Sequence, residues 1–333
     1  MTEQTRFAGA SGDLSLVLAA IATACKAISS ATRRAGLLGL FGLDGSMNAT
    51  GDDVKKLDVL SDEIFVNSLR HTRRVAMLVS EERAEPVVVE EALGAKYIAC
   101  FDPLDGSSNI DCNVSVGSIF SILRRPAAAI GSRPTAAEAL QPGSGIVCAG
   151  YCVYGPSTQL VLAFQGDAVN VFTLDPAIGE FILSQPALKM PAAPQRIYSV
   201  NEGNVAACAP AVQRFVAECK APPAPAKPYS LRYTGSMVAD VHRTLLYGGV
   251  FLYTATPAAP AGKLRILYEC HPMAFLVEQA GGTAHTGTPD AAGAPVRMLD
   301  VVPAGVHDRS GIALGCARDV ARLAELAARD AGA

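Results

Sequence analysis

From residue 14 to residue 31 apolar positions recur with helical spacing. LSLVLAAIATAC (14–25) runs on through Ala27, Ile28 and Ala31. Ser11 or Asp13 can cap the start, Arg33 and Arg34 suit the end, and Gly36 stops the helix. A glycine-rich loop, GLLGLFGLDGSMNATGDD (36–53), follows. A second helix is predicted over about 54–72, with Leu57, Leu60, Ile64 and Leu69 on one face. Then the period changes. RVAMLVS, KYIAC and VSVGSIFSILRR read as strands, and 126–145, rich in Pro, Gly and Ala, reads as a loop with one short helical turn. IVCAGYCVYG, TQLVLAF, AVNVFTLD and EFILS form an antiparallel-looking series, broken by turns at GP, QGD and DPAIGE.

The pattern resets near LKMPAAPQ (188–195), so the chain divides into 1–190 and 191–333. The second part alternates: RIYSVNEG, a helix near PAVQRFVAE, VFLYT, a strand KLRILYE, a helix HPMAFLVEQAGG and a last helix over 319–330. There is no internal repeat. Mixed strands and helices predict α/β layers rather than an all-β or bundle fold.

Composition narrows the class. A chain of 333 residues can bury a large core, and 50% hydrophobic residues mark it as folded. Lys and Arg number 28 against 31 acids, and the net charge of −3 supplies no basic field for nucleic acid. Nine cysteines show no CxxC or zinc spacing. Cys148 and Cys152, four apart on a strand, stand ~13 Å from each other, too far for a disulfide. Reduced, buried thiols in a reducing compartment, the cytoplasm, are expected. Segment 14–25 resembles the core of a signal peptide, but Glu3 and Asp13 against Arg6 give the wrong flanking charge. No apolar run reads as long enough to span a membrane, and the terminal ARDAGA carries no address signal.

The chemistry collects at strand ends. RVAMLVS leads into Glu81-Glu82, KYIAC into Asp102 and Asp105, and KLRILYE into Glu269; Asp52, Asp53 and Asp58 surround the start of the second helix. Taken singly, each has an ordinary reading: a solvated Glu-Glu loop, an Asx turn capped by Asp102 and Ser107, a surface Asp58. Taken together, converging carboxylates are costly without cations, and Mg²⁺ is bound by oxygen ligands of this kind. Two cations about 4 Å apart can clamp both oxygens of a phosphoryl transfer. The donor-rich Gly106-Ser107-Ser108 turn can hold the phosphate.

FDPLDGSSNID (101–111) resembles the signature of the lithium-sensitive, magnesium-dependent phosphatases. With GDDVKKLDVLSDEI, LVSEE, SVNEG, RYTGSMVADVHRTLLYGGVFLY and GKLRILYECHPMAFLVEQAGG, the chain from about 12 to 320 is similar to class I fructose-1,6-bisphosphatases. That resemblance implies a layered α-β-α-β-α sandwich, a homotetramer, and hydrolysis of fructose 1,6-bisphosphate to fructose 6-phosphate in gluconeogenesis. It implies two or more Mg²⁺ per subunit, with Mn²⁺ or Zn²⁺ able to substitute, on Glu81, Glu82, Asp102, Asp105, Glu269 and the Leu104 carbonyl. Glu82, Asp58 and Asp52 would activate water. Gly106 and Ser107, beside Asp105, would meet the 1-phosphate. Asn201, Tyr233, Tyr253 and Lys263 would hold the 6-phosphate and sugar, with Met237 and Arg265 nearby and Arg232 reaching in from a neighbouring subunit. A dianionic 6-phosphate suits an Arg fork and a Lys point charge. The family's Tyr after NEG is Asn204 here, which puts one hydroxyl contact in question. His271 stands where Asn is usual and reads as structural.

The resemblance also implies inhibition by AMP, at positions matching Gly12, Asp13, Leu14, Ser15, Lys96, Tyr97 and Arg124. Ser15 and Asp13 replace a Thr and a Glu. The loop 126–145 has no cysteine, unlike light-regulated plastid relatives, so thioredoxin control and a plastid location are not expected. A sedoheptulose-1,7-bisphosphatase is the enzymatic alternative. A metabolite-sensing protein without turnover is a further one, against which the intact acid set argues.

Overall fold

The structure is a computed structural model and describes residues 12–47, 53–290 and 293–331. Two helices open it, α1 (Asp13–Arg33) and α2 (Lys56–Thr72), joined through a short hairpin of Leu43–Met47 (β1) with Asp53–Lys55 (β2). Eight strands then build a large sheet: Val75–Ser80 (β3), Val87–Val88 (β4), Tyr97–Asp105 (β5), Val116–Arg124 (β6), Ile146–Tyr154 (β7), Thr158–Phe164 (β8), Val169–Asp175 (β9) and Glu180–Leu188 (β10). Their spatial order is β10-β9-β8-β7-β6-β5-β3-β4. All neighbours are antiparallel except β3 and β5, which run together.

The second half supplies Ile197–Ser199 (β11), α3 (Pro210–Lys220), Ser230–Leu231 (β12), α4 (Met237–Tyr247) and Val250–Tyr253 (β13). Leu264–Arg265 (β14), α5 (His271–Gln279), Thr283–Pro289 (β15), Pro295–Arg297 (β16), Arg309–Ser310 (β17), Ile312–Gly315 (β18) and α6 (Ala317–Ala331) follow. Six of these strands form a sheet ordered β12-β11-β13-β18-β15-β16, and β14 pairs with β17.

Strand alternation sorts the side chains into layers. Phe101, Phe120 and Ile122 face α1 and α2. Their neighbours Cys100 and Ile119 face α4 and α5, together with Phe251 and Leu314 of the second sheet. Val250, Leu252 and Ala313 face the other way, onto α3 and α6. The result is the layered α-β-α-β-α sandwich, with α4 and α5 filling the gap between the sheets.

Several local expectations are corrected. By length and composition α1 is apolar enough to cross a membrane. Here it buries Leu14, Val17, Ile21, Ala24, Cys25 and Ile28 against the sheet and α2. Its N-cap is Gly12, in the left-handed region at φ 78°, without a side-chain cap; Asp13 does not cap it, and Ser11 lies outside the described residues. KLRILYE is a strand only at Leu264–Arg265. Ile266–Cys270 is a π-helical turn running straight into α5. A short, wholly buried apolar run has no periodicity to separate strand from helix. Loop 126–145 makes three 3₁₀ turns rather than one. Between α5 and α6, where the pattern shows no element, the short β15 and β18 lie inside the second sheet. All nine cysteines are free and all but Cys112 are buried, as expected.

Candidate active site

Parallel pairing of β3 and β5 sets the site. Ser80 lies in register with Phe101, and the Glu81 amide still donates to the Phe101 carbonyl at 3.2 Å. The two strands therefore end together, and Glu81-Glu82 emerge beside Asp102.

Asp102 and Asp105 are three apart, which on a regular strand would put them on opposite faces. Against β6 the register moves from Asp102↔Ile119 to Asp105↔Gly117, three steps on one strand for two on the other. This bulge returns Asp105 to the face of Asp102. Pro103, which cannot donate to a ladder, falls inside it, as does Leu104, whose amide donates to Asp102 Oδ1 at 2.9 Å.

Glu269 arrives from the π turn, a helical form frequent at functional sites. Its Oε2 accepts from the Arg265 amide at 2.6 Å. Carboxylate oxygens of Asp102, Asp105 and Glu269 all lie within 4.8 Å of one another, and the three residues are 2%, 7% and 3% exposed. Asp105 Oδ2 is fixed by Ser236 Oγ and the Val238 amide, both at 2.9 Å, at the start of α4. Gly106 follows at φ 74°, and any Cβ there would come within 2.7 Å of Ser236.

The electrostatics match this crowding. Burial first, then the charges of Glu81, Asp105 and Glu269, push Asp102 well above the carboxylate range. Burial lifts Glu269 to about 8 and Asp105 to about 6. Glu82 rises to about 8 through burial and its neighbours Asp58 and Glu81. Burial also lifts Asp58 to about 7, although the Lys55 amide and Ser107 bond to it. Arg265 offsets part of the charge, with Nη1 at 2.9 Å from Glu81 Oε1. Glu82 Oε2 and Asp58 Oδ1 are buried with no protein partner. Buried, mutually repelling oxygens with open lone pairs are the donor set a hard divalent cation and its waters take. The residues fit such a group. Asp52 lies outside the described residues.

Beside the acids a cleft of about 580 Å³ is lined by Asp105, Gly106, Tyr233, Met237, Tyr253, Lys263 and Arg265. Tyr253 and Lys263 also line an adjoining recess of about 410 Å³ with Asn201 and Asn204. Asn204 thus stands at the predicted sugar-phosphate site. Arg232 lines neither; it is exposed and bonds the Leu231 carbonyl. His271 is 1% exposed, is pushed down to about 4 by burial, and meets the backbone of Val301 and Met298. Asp111 accepts from Lys55 Nζ and the Gly42 amide and stays apart from the acids.

A second constellation forms at the other end of β5. Tyr97 and Arg124 are directly paired across β5 and β6, with the guanidinium carbon 5.6 Å from the Tyr97 ring centre. At the start of α1, Asp13 pairs with Lys96 at 3.8 Å and with Arg74 at 3.2 Å. Gly12, Leu14 and Ser15 surround Asp13, and Leu14 points into the core.

Sequence reasoning missed Arg74, the Ser236 and Val238 donors on Asp105, and Asp62. Ser236 carried a readable signal, a serine placed to cap the apolar run of α4. Asp62 carried a weaker one, standing one helical turn after Asp58.

Fold and acids together define a phosphatase of the layered α/β class, with an acidic cluster able to hold metal. Two family profiles cover nearly the whole chain: "Fructose-1-6-bisphosphatase, N-terminal domain" over residues 1–186 and the C-terminal domain of the same family over 190–328. The chain belongs to the fructose-1,6-bisphosphatase family. It is 51% identical over 331 residues to a cytosolic fructose-1,6-bisphosphatase of Oryza sativa subsp. indica, covering 99% of this chain and 94% of that one. It is 47% identical over 328 residues to fructose-1,6-bisphosphatase 1 of Rattus norvegicus, covering 98% and 87%. The crystal structure of Leishmania major fructose-1,6-bisphosphatase in holo form superposes with a TM-score of 0.88 at 43% identity, covering 96% of this chain and 95% of that one.

Proposed function

We propose that the chain hydrolyses the 1-phosphate of fructose 1,6-bisphosphate, giving fructose 6-phosphate and inorganic phosphate, a step of gluconeogenesis. The observation that carries this is the buried triad of Asp102, Asp105 and Glu269 opening onto a cleft with Lys263, Tyr253 and Tyr233. Mg²⁺, two or more per subunit, is the natural cation for this oxygen set, and Mn²⁺ or Zn²⁺ can replace it. When bound, the cations supply charge neutralisation and activation of water.

The chain's residues do the rest. Glu81, Glu82, Asp102, Asp105, Glu269 and the Leu104 carbonyl hold the cations. Glu82 takes the proton of the attacking water, with Asp58 beside it and Asp52 assisting. The amides of Gly106 and Ser107 hold the 1-phosphate. Asn201, Tyr233, Tyr253 and Lys263 bind the 6-phosphate and sugar, and that remote binding energy orients the reacting phosphate. Met237 and Arg265 close the cleft. Asn204, shorter than the family's Tyr, is a weaker reach toward the same phosphate.

The parts 1–190 and 191–333 are read as two domains meeting at this cleft. Arg232, exposed and outside the lining of its own subunit's cleft, suits a contribution to a neighbour's. A homotetramer is further supported by the exposed Ile182 and Leu183 on the sheet-edge strand β10 and by Ile178 in the turn before it. AMP is the proposed inhibitor, its phosphate at the N-terminus of α1 (Gly12, Asp13, Leu14, Ser15) and its base and sugar near Lys96, Tyr97 and Arg124. The cytoplasm is the proposed location, in keeping with nine free thiols and the cytosolic rice relative.

A panel of sugar bisphosphates read by phosphate release tests the substrate. Fructose 1,6-bisphosphate should give the highest kcat/KM. A higher value for sedoheptulose 1,7-bisphosphate would replace the assignment.

A further inference from the structure

Asp62 accepts its hydrogen bonds from none of the predicted ligands, yet both its carboxylate oxygens bond the segment that carries two of them. It is 5% exposed and lies one turn beyond Asp58 on α2. Its Oδ1 accepts from Ser80 Oγ at 2.7 Å, and its Oδ2 accepts from Arg83 Nε at 2.7 Å. Ser80 and Arg83 are the residues on either side of the Glu81-Glu82 pair. Ser80 Oγ in turn accepts from the Glu82 amide at 3.3 Å. The next residue, Ala84, accepts through its carbonyl from the His307 ring at 3.2 Å, and that ring is held by the Tyr268 hydroxyl at 2.8 Å.

The geometry points to Asp62 as a positioning residue for the Glu81-Glu82 turn. It ties the turn at both ends to α2, the helix that also carries Asp58. Without that tie β3 would still end beside β5, because the ladder up to Ser80 is backbone. Glu81 would keep only its pairing with Arg265, and Glu82 would leave that end without a fixed direction. Metal ligands depend on the groups that orient them, and losing one such group typically costs 10–100-fold in metal affinity or activity.

This inference rests on the reading of Glu81 and Glu82 as metal ligands. The test separates the two. Mn²⁺ binding to the EDTA-stripped, repurified protein is followed by electron paramagnetic resonance for wild type, Asp62→Asn, Ser80→Ala and the double variant. kcat and KM for fructose 1,6-bisphosphate are measured alongside. Asp62→Asn should weaken Mn²⁺ binding and lower kcat by roughly 10–100-fold, with KM changed by less than about threefold. Ser80→Ala should do the same more mildly, and the double variant should lose less than the two losses multiplied, because both act on one turn. A merely structural Asp62 would lower the unfolding temperature and leave Mn²⁺ affinity intact. If Mn²⁺ affinity in both single variants stays within about threefold of wild type, the inference is overturned. If Asp62→Asn does not fold, Ser80→Ala decides alone. If the wild type binds Mn²⁺ but hydrolyses no sugar bisphosphate, the functional reading fails while the Mn²⁺ affinities still judge Asp62.

Discussion

The paired strands β5 and β6 bury charge at both ends, and the two ends treat it in opposite ways. At one end Arg125, directly after β6, is 2% exposed. It meets both oxygens of Glu138, at 2.7 and 3.3 Å, and the carbonyls of Leu93, Ala129 and Ser132. Its amide bonds the Lys96 carbonyl. At the other end, eight residues and roughly 26 Å along β5, Asp102 and Asp105 join Glu269 with only partial compensation from Arg265. A buried charge that the protein neutralises itself is architecture. One that it leaves for a bound cation to neutralise is a site.

Breaking the paired end gives the largest effect. Arg125→Ala strands the Glu138 carboxylate and several carbonyls, and should cost about 3–5 kcal/mol of stability by urea unfolding. A loss under about 1 kcal/mol would mean that the pair is no anchor. At the acidic end, Glu269→Gln should reduce kcat by more than about 100-fold, beyond the loss expected for an outer partner of a ligand, with the fold retained. Near-normal turnover would remove Glu269 from the ligand set.

These two ends were not equally legible in the sequence. The acids announced themselves because they fall at strand ends, and the helix and strand periods placed α1, α2 and the strands of the large sheet except the two-residue β4. The bulge that turns Asp105 onto the face of Asp102 could not be read, since it depends on the partner strand. Nor could the π turn under Glu269, because ILYEC is buried on every side and shows no period. Arg125 and Asp62 stayed hidden for a related reason. A charged residue in a loop or helix reads as solvated until its distant partners are known.

pH should separate the ends further. Asp105, Asp58, Glu82 and Glu269 titrate near 6, 7, 8 and 8 when no cation is present, against ordinary values near 4. Between those limits the folded state holds protons that the unfolded chain has released. Stability of the EDTA-treated protein should therefore fall as pH rises from 5 to 8, by about 1.4 kcal/mol per unit for each excess proton. Saturating Mg²⁺ should flatten or reverse the slope. A metal-free protein equally stable at both pH values would contradict the crowding described for the acids.

The smallest effect belongs to the exposed cation beside Arg125. Arg124→Ala should leave kcat and stability nearly unchanged and raise the AMP concentration for half-inhibition by roughly tenfold, the scale of one charged hydrogen bond. Unchanged inhibition, or a wild type indifferent to saturating AMP, would sever the basic end from regulation.

Metal-dependent hydrolysis is decided by phosphate release from fructose 1,6-bisphosphate by the purified protein with Mg²⁺, after EDTA, and after Mg²⁺ is restored. The predicted result is turnover that disappears with chelation and returns with the metal. Turnover untouched by EDTA, or none with Mg²⁺ present, would contradict it.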